Sequence, residues 1–186
     1  MAMALGVSSL AEVSDRITSL IDLKPPTSLK DALGLLPDLA QVRKFPPKRI
    51  KRGACQEVLF RGDEIDLAAL PIITCWPEDG GPYITFPQVI TRSPENGRQN
   101  LGMYRIQVLD ATTCIMHSQA HHGTAGHLRE YAERGITKVP CAVALGGASV
   151  ATYAATAPMP PALDEWLLAG FLRNEPIELV KAIESD

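Results

Sequence analysis

The run Tyr83-Ile84-Thr85-Phe86-Pro87-Gln88-Val89-Ile90-Thr91-Arg92 and the run Asn100-Leu101-Gly102-Met103-Tyr104-Arg105-Ile106-Gln107-Val108-Leu109 flank Ser93-Pro94-Glu95-Asn96-Gly97-Arg98. The first carries Ile84, Phe86, Val89 and Ile90; the second carries Tyr104, Ile106 and Val108. Asn-Gly between two such runs is a strong turn signal, because both residues tolerate the positive φ that a tight hairpin needs. The pair therefore reads as an antiparallel hairpin. Asp110-Ala111-Thr112-Thr113 is a second turn, and Cys114-Ile115-Met116 a further strand, so the centre of the chain is an antiparallel meander.

Working outward toward the N-terminus, Ser8 or Ser9 caps a helix with Leu10, Val13, Ile17, Leu20 and Ile21 on one face, ended by Pro25-Pro26. Thr27-Ser28 opens a second helix carrying Leu29, Ala32, Leu33 and Leu36, stopped by Pro37. Val58-Leu59-Phe60 reads as a short strand, and Glu78-Asp79-Gly80-Gly81-Pro82 as a turn cluster. Toward the C-terminus, a histidine-rich loop over residues 117–126 opens a helix through residues 127–132. Residues 139–145 form an apolar run expected to be a buried strand, turned by Gly146-Gly147 into a helix around residues 150–155. A helix over residues 164–172 and a strand over residues 177–183 follow.

The composition sets limits on function. In 186 residues, 46% are hydrophobic and 21% charged, which excludes a disordered tail, a collagenous chain or a coiled coil. That length suffices for a core without covalent staples. A net charge of −3 argues against nucleic acid as a partner, since phosphate binding needs a positive footprint. The basic residues Arg43, Lys44, Lys48, Arg49, Lys51 and Arg52, interrupted by Phe45-Pro46-Pro47, read as a solvated linker or, alternatively, as an anion or membrane-surface patch. Cys55, Cys75, Cys114 and Cys141 form no CxxC pair and are expected to be reduced and mostly buried. With no signal-peptide pattern at the start and no apolar stretch of membrane-spanning length, a cytoplasmic location is expected.

Two clusters could carry chemistry. All the histidines lie close together: His117, His121, His122 and His127. His117 and His121 have i, i+4 spacing, which on a helix would place both on one face and could chelate a metal; the other reading is a polar loop with helix-capping imidazoles. If residues 100–105 form a strand, Asn100, Gly102 and Tyr104 share one face, and Leu101, Met103 and Arg105 the other. An arginine on an apolar face either snorkels from an edge strand or waits in a pocket to grip a carboxylate in bidentate fashion. Gly102 would let backbone approach a ligand closely. GxSxG, P-loop and GxGxxG patterns are absent, and Leu145-Gly146-Gly147-Ala148 reads as a structural turn.

These stretches in combination resemble the UbiD-type decarboxylase family. The resemblance rests on residues 83–87, on Gln99-Asn100-Leu101-Gly102-Met103-Tyr104-Arg105-Ile106-Gln107-Val108, and on Met116-His117-Ser118-Gln119-Ala120-His121-His122-Gly123. Residues 70–77, 140–146, 157–160 and 168–173 extend it over nearly the whole chain, and residues 83–122 are most similar to the naphthoate branch of menaquinone synthesis. The resemblance implies prenylated FMN, supplied by a flavin prenyltransferase, and manganese, with potassium as a candidate second ion. Asn100 and His121 map to metal ligands. Met103, Tyr104, Arg105, His117, Ser118, Gln119, His122 and Gly123 map to cofactor contacts, although His117 and His122 replace the Arg-type residues of some relatives. Arg105 maps to the catalytic arginine that orients the substrate carboxylate. The implied substrate is an aromatic acid of ubiquinone or menaquinone biosynthesis; a polyprenylated one would bring a peripheral membrane association. Full-length relatives form homo-oligomers.

The resemblance also implies a glutamate as third metal ligand, a lysine near the cofactor phosphate and an acidic proton donor, all past Asp186. The expected fold is thus α+β: an N-terminal α/β domain over residues 1–82, then the first half of a split, flavin-reductase-like β-barrel over residues 83–186. Such a chain is a gene fragment or one part of a split enzyme, inactive alone. The alternatives are a non-catalytic subunit, or a flavin-binding assembly module that needs a second chain to complete its site.

Overall fold

The computed structural model describes residues 1–21, 44–157, 159 and 164–184. They fall into two compact units. The first comprises residues 1–49 and 148–179, the second residues 50–147 and 180–186. The expected boundary at residue 82 therefore falls inside the second unit. The reason is visible in the backbone: the Leu67 N–H donates to the Ala111 carbonyl at 2.8 Å, and the Tyr83 N–H to the Ile73 carbonyl at 3.0 Å. Residues 50–82 are thereby tied to the strands that follow them.

In the first unit, Leu10–Ile21 (α1) starts as its sequence suggests. The Ser9 hydroxyl accepts from the Glu12 N–H at 3.3 Å, and the Glu12 carboxylate accepts from the Ser8 N–H at 3.0 Å, satisfying donors the helix leaves open. The helix expected over residues 27–36 lies outside the described residues. Ser149–Ala154 (α3) and Glu165–Arg173 (α4) pack on each other, with Ala151 and Ala154 buried on the first and Ala169 and Gly170 on the second; α2, Gly123–Glu133, belongs to the second unit. Asp164 caps α4 by accepting from the Trp166 N–H at 2.8 Å, and Asn174 closes it with φ 62°. Phe45 meets Phe171 edge to face at 5.6 Å, and the Arg16 guanidinium donates to the Leu172 carbonyl at 2.6 Å. Lys48–Ile50 (β1) and Glu178–Val180 (β8) form a two-stranded sheet.

The second unit holds two separate three-stranded antiparallel sheets. Tyr83–Ile84 (β2), Ile106–Val108 (β5) and Cys114–Met116 (β6) make one, with β5 central. Gln88–Arg92 (β3), Gln99–Met103 (β4) and Cys141–Ala144 (β7) make the other, with β3 central. The hairpin is thus real, with Thr91 opposite Asn100 and Ile90 opposite Leu101. Each of its runs serves both sheets, however. The first breaks at Phe86-Pro87, where proline can give no ladder hydrogen, and the second at Tyr104-Arg105. Val89, Tyr104 and Ile106, with Ile84 and Met116 beside them, form a shared cluster at this break. Gly123–Glu133 (α2) packs against β3 and β4.

Three expectations are corrected. Val58, Leu59 and Phe60 are not a strand but an exposed connection between 3-10 turns. The run over residues 139–145 is a strand only at Cys141–Ala144, and it is largely exposed because β7 lies at an edge of its sheet. The thiols are not buried: Cys55, Cys114 and Cys141 are exposed and Cys75 is partly so. Among the described residues no helix is long and apolar enough to cross a membrane.

Gly170 provides a test of the packing in the first unit. A Cβ there would lie 2.5 Å from the Phe45 carbonyl oxygen and 3.2 Å from the Phe45 Cβ. Gly170→Ala should therefore destabilise the chain by about 1–3 kcal/mol, despite alanine's better helix propensity. Urea unfolding checks this: the midpoint should drop, whereas an unchanged or raised midpoint would contradict the packing described.

Candidate functional site

Asn100 sits on β4, and its amide nitrogen donates twice: to the Tyr104 hydroxyl at 3.2 Å and to the Thr124 hydroxyl at 3.3 Å. The Tyr104 hydroxyl also accepts from the Thr124 N–H at 3.5 Å. As the strand alternation implied, Asn100, Gly102 and Tyr104 share a face. The room at Gly102, though, is taken by the chain itself: a Cβ there would collide with the Tyr104 ring and hydroxyl. The expectation that Gly102 opens a path for a ligand is corrected accordingly. Gly123 plays the matching part across the site. A Cβ on it would strike the Asn100 amide oxygen, so that oxygen is turned toward the His-loop backbone.

The loop over residues 117–122 is not helical; α2 begins at Gly123. His117 and His121 therefore do not share a helix face, and the i, i+4 chelate is corrected. The His117 N–H instead donates to the Arg105 carbonyl at 3.0 Å, prolonging the β5–β6 pairing. His122 stacks on Tyr104 at 4.9 Å and meets His121 edge-on at 4.6 Å. Its Nδ1 accepts from the Gln119 N–H at 3.1 Å. Burial, and then the neighbouring His121 and His117, push the His122 pKa below the usual imidazole value. The Ser118 hydroxyl oxygen is buried and without a hydrogen-bond partner among the described residues.

Arg105 follows β4, and it is not held on an apolar face. Its guanidinium bonds the Asp79 carboxylate at 2.6 Å and lies 3.8 Å over the Tyr83 ring. Asp79 belongs to the turn cluster before β2 and is 12% exposed, against 37% for Arg105. The Arg105 bond holds the Asp79 carboxyl below the usual carboxylate range, helped by the Trp76 N–H. The same bond raises Arg105, with Cys75 adding to it. A guanidinium has five N–H donors. Asp79 takes up only part of that set, which leaves a half-exposed edge that can meet an anion.

The sequence had not pointed to Asp79, Thr91 or Thr124, and it had placed His127 only in the histidine cluster. The Thr91 hydroxyl is 3.3 Å from that of Thr124 and 2.9 Å from His127 Nδ1. The hairpin register, which sets Thr91 opposite Asn100, was the available signal for the first of these. Thr124 and His127 are one turn apart on α2, a spacing that puts them on one face. Among the described residues no group of three or more His, Cys, Asp or Glu side chains is gathered to hold a metal.

The model of the family described as UbiD, 3-octaprenyl-4-hydroxybenzoate carboxy-lyase Rift-related domain, matches residues 48–186. This chain belongs to the UbiD family. An uncharacterized protein of Aquifex aeolicus (strain VF5) is 41% identical over 183 residues, which are 98% of this chain and 37% of that one. The closed form of vanillic acid decarboxylase from Sedimentibacter hydroxybenzoicus superposes with a TM-score of 0.75 at 27% identity, covering 100% of this chain and 37% of that one. An evolved dimeric form of the UbiD-class enzyme HmfF from Pelotomaculum thermopropionicum, in complex with prFMN, shares the fold with a TM-score of 0.77 at 24% identity, over 100% of this chain and 38% of that one. The chain thus spans a little over a third of the length of the relatives it matches.

The candidate site carries a pH signature. His127, like His122, is pushed below its usual pKa, by burial first and by Arg98 as well, while Glu130 pulls the other way. For such a histidine the unfolded chain binds more protons than the folded one just below the unfolded value of 6.5. Stability is therefore level above that pH and falls as the pH drops through it. The thermal midpoint should hold between about pH 8 and 7 and decline from about 7 to 5.5. His127→Gln should flatten that decline; a midpoint that rises on acidification would contradict the assignment.

Proposed function

We propose that this chain is the part of a UbiD decarboxylase that seats prenylated FMN and orients an aromatic carboxylate for non-oxidative loss of CO2. The observation that carries the reading is the Arg105 clamp. A guanidinium fixed from one side by Asp79 and Tyr83, with its other side half-exposed, is built to hold a carboxylate rather than to fill a surface. The relationship to a vanillic acid decarboxylase at 27% identity supports an aromatic acid as substrate. Within that class, the resemblance over residues 83–122 favours an acid of quinone biosynthesis, with a naphthoate of the menaquinone route as the first to test.

The residues present fit the cofactor. The buried Ser118 oxygen needs a hydrogen-bond partner that a flavin phosphate or polar ring edge would provide. Gly123, whose Cβ position is filled by the Asn100 amide oxygen, would meet the flavin through its backbone. Met103, Tyr104, Arg105, His117, Gln119 and His122 are the other residues assigned to the flavin. When bound, the modified flavin supplies an electron sink for the charge left as CO2 departs. The Asn100 oxygen and a His121 ring nitrogen suit manganese as two neutral ligands, with potassium as a candidate second ion. The split-barrel assignment for residues 83–186, homo-oligomerisation and a cytoplasmic location belong to the same reading.

What the chain's own residues do is orientation. Arg105 holds the carboxylate, and Asp79 holds Arg105. Asp79 is a poor proton donor, because its ion pair keeps it ionised at neutral pH. The isolated 186-residue chain is therefore expected to show no turnover. One observation favours a second reading, an assembly module completed by another chain: among the described residues no group of three or more His, Cys, Asp or Glu side chains is gathered to hold a metal.

The test co-produces this chain with a flavin prenyltransferase and, as a second chain to complete the site, the remaining length of the 41% identical Aquifex aeolicus relative, and assays CO2 release from hydroxybenzoates and naphthoates. Arg105→Lys should lose activity by about a hundredfold while flavin absorbance is retained, because a point charge replaces a planar fork. Undiminished activity in that variant would remove Arg105 from the reaction. CO2 release by the isolated chain would contradict the division of labour proposed.

A further inference from the structure

A continuous chain of side-chain hydrogen bonds runs away from Asn100 into the packing between β3 and α2. It passes from the Asn100 amide nitrogen to the Thr124 hydroxyl (3.3 Å), then to the Thr91 hydroxyl (3.3 Å), then to His127 Nδ1 (2.9 Å). Thr124 is 0% exposed and Thr91 2%, so water does not serve either hydroxyl and each must donate and accept along the chain. Each hydroxyl has one proton. If the amide nitrogen donates to Thr124, then Thr124 must donate to Thr91, and Thr91 to an unprotonated His127 Nδ1. The whole chain has one sense, and the imidazole at its end sets it. Reversing the sense would make Nδ1 the donor and demand the amide oxygen where the nitrogen now lies.

We propose that Thr124, Thr91 and His127 form a positioning relay that fixes the polarity of the Asn100 amide, holding its oxygen toward the His loop and hence toward a bound divalent cation. This rests on the metal assignment of Asn100 above, and it deepens that assignment. An asparagine amide is nearly symmetric in shape, so packing alone hardly distinguishes oxygen from nitrogen; only directional partners do. Tyr104 cannot supply the direction, since its hydroxyl can either donate or accept. The relay can, because a neutral imidazole presents one bare nitrogen and one N–H. Burial opposes charging of the His127 ring. The charged groups facing it are Glu130 on the same helix, itself bonded by the Ser93 hydroxyl at 2.5 Å, and Arg98 from the β3–β4 turn.

The experiment uses the full chain labelled with 15N in histidine and asparagine, and a manganese titration followed by electron paramagnetic resonance. The relay requires the neutral His127 ring to carry its proton on Nε2, with Nδ1 bare. Thr124→Val keeps the shape but removes the hydroxyl, and should weaken manganese binding about tenfold, as loss of a group that orients a ligand does. Thr124→Ser restores the hydroxyl and should bind within about twofold of the parent. A neutral ring protonated on Nδ1 overturns the relay without reference to any metal or variant. Parent-like binding by Thr124→Val, with binding lost in Asn100→Ala, overturns the relay and leaves the metal assignment standing. Parent-like binding by Asn100→Ala overturns the metal assignment instead. In that case the Asn100 side-chain amide resonance decides the relay: a shift in Thr124→Val supports it, and an unmoved resonance overturns it.

Discussion

The site depends on one amide. The Asn100 nitrogen ties β4 to the Tyr104 hydroxyl on its own strand side and to Thr124 in the first turn of α2. Each such bond adds only about 1 kcal/mol net, but leaving a buried donor unmade costs about 1–3 kcal/mol. The constraint is therefore mostly negative: arrangements that break the knot are excluded. It also explains two glycines without appeal to unusual backbone angles. Gly102 leaves room for the tyrosine to fold back, and Gly123 leaves room for the amide oxygen. Side chains at either position would push apart the strand and the helix that the knot joins.

Arg105 works by a different principle, although it lies only five positions along. The break between the sheets at Tyr104-Arg105 turns the second residue toward Asp79 and Tyr83. An exposed ion pair contributes little to stability. Its value here is geometric: a long flexible side chain is held in one place by a carboxylate and a ring. Strand β4 and the break after it thus carry two neighbouring devices, an amide whose dipole is fixed by hydrogen-bond partners and a cation whose position is fixed by a carboxylate and a ring. Under the function proposed above, the first would serve a cation and the second a carboxylate.

Much of this was legible in the residues. The Asn-Gly turn, the Ser9 cap of α1, the helix after the histidine loop and the alternation of Asn100, Gly102 and Tyr104 all follow from local rules, and local rules act within a few residues. What was not legible involved partners. Val58-Leu59-Phe60 and residues 139–145 are apolar, and apolarity in sequence does not say whether anything covers a segment. The thiols were misjudged for the same reason. The i, i+4 histidines assumed a helix that begins only at Gly123. The pairing of Arg105 with Asp79, and the line from Asn100 to His127, join elements far apart in sequence, and no local period signals them. The helix expected over residues 27–36 lies outside the described residues.

The central claim is that the Asn100 oxygen faces a cation shared with His121. Crystals of the protein grown with manganese and the flavin, measured at the manganese absorption edge, test it directly. The account predicts an anomalous peak within bonding distance of both the Asn100 oxygen and a His121 ring nitrogen. A peak elsewhere, or a refined amide that turns its nitrogen toward the ion, would contradict it.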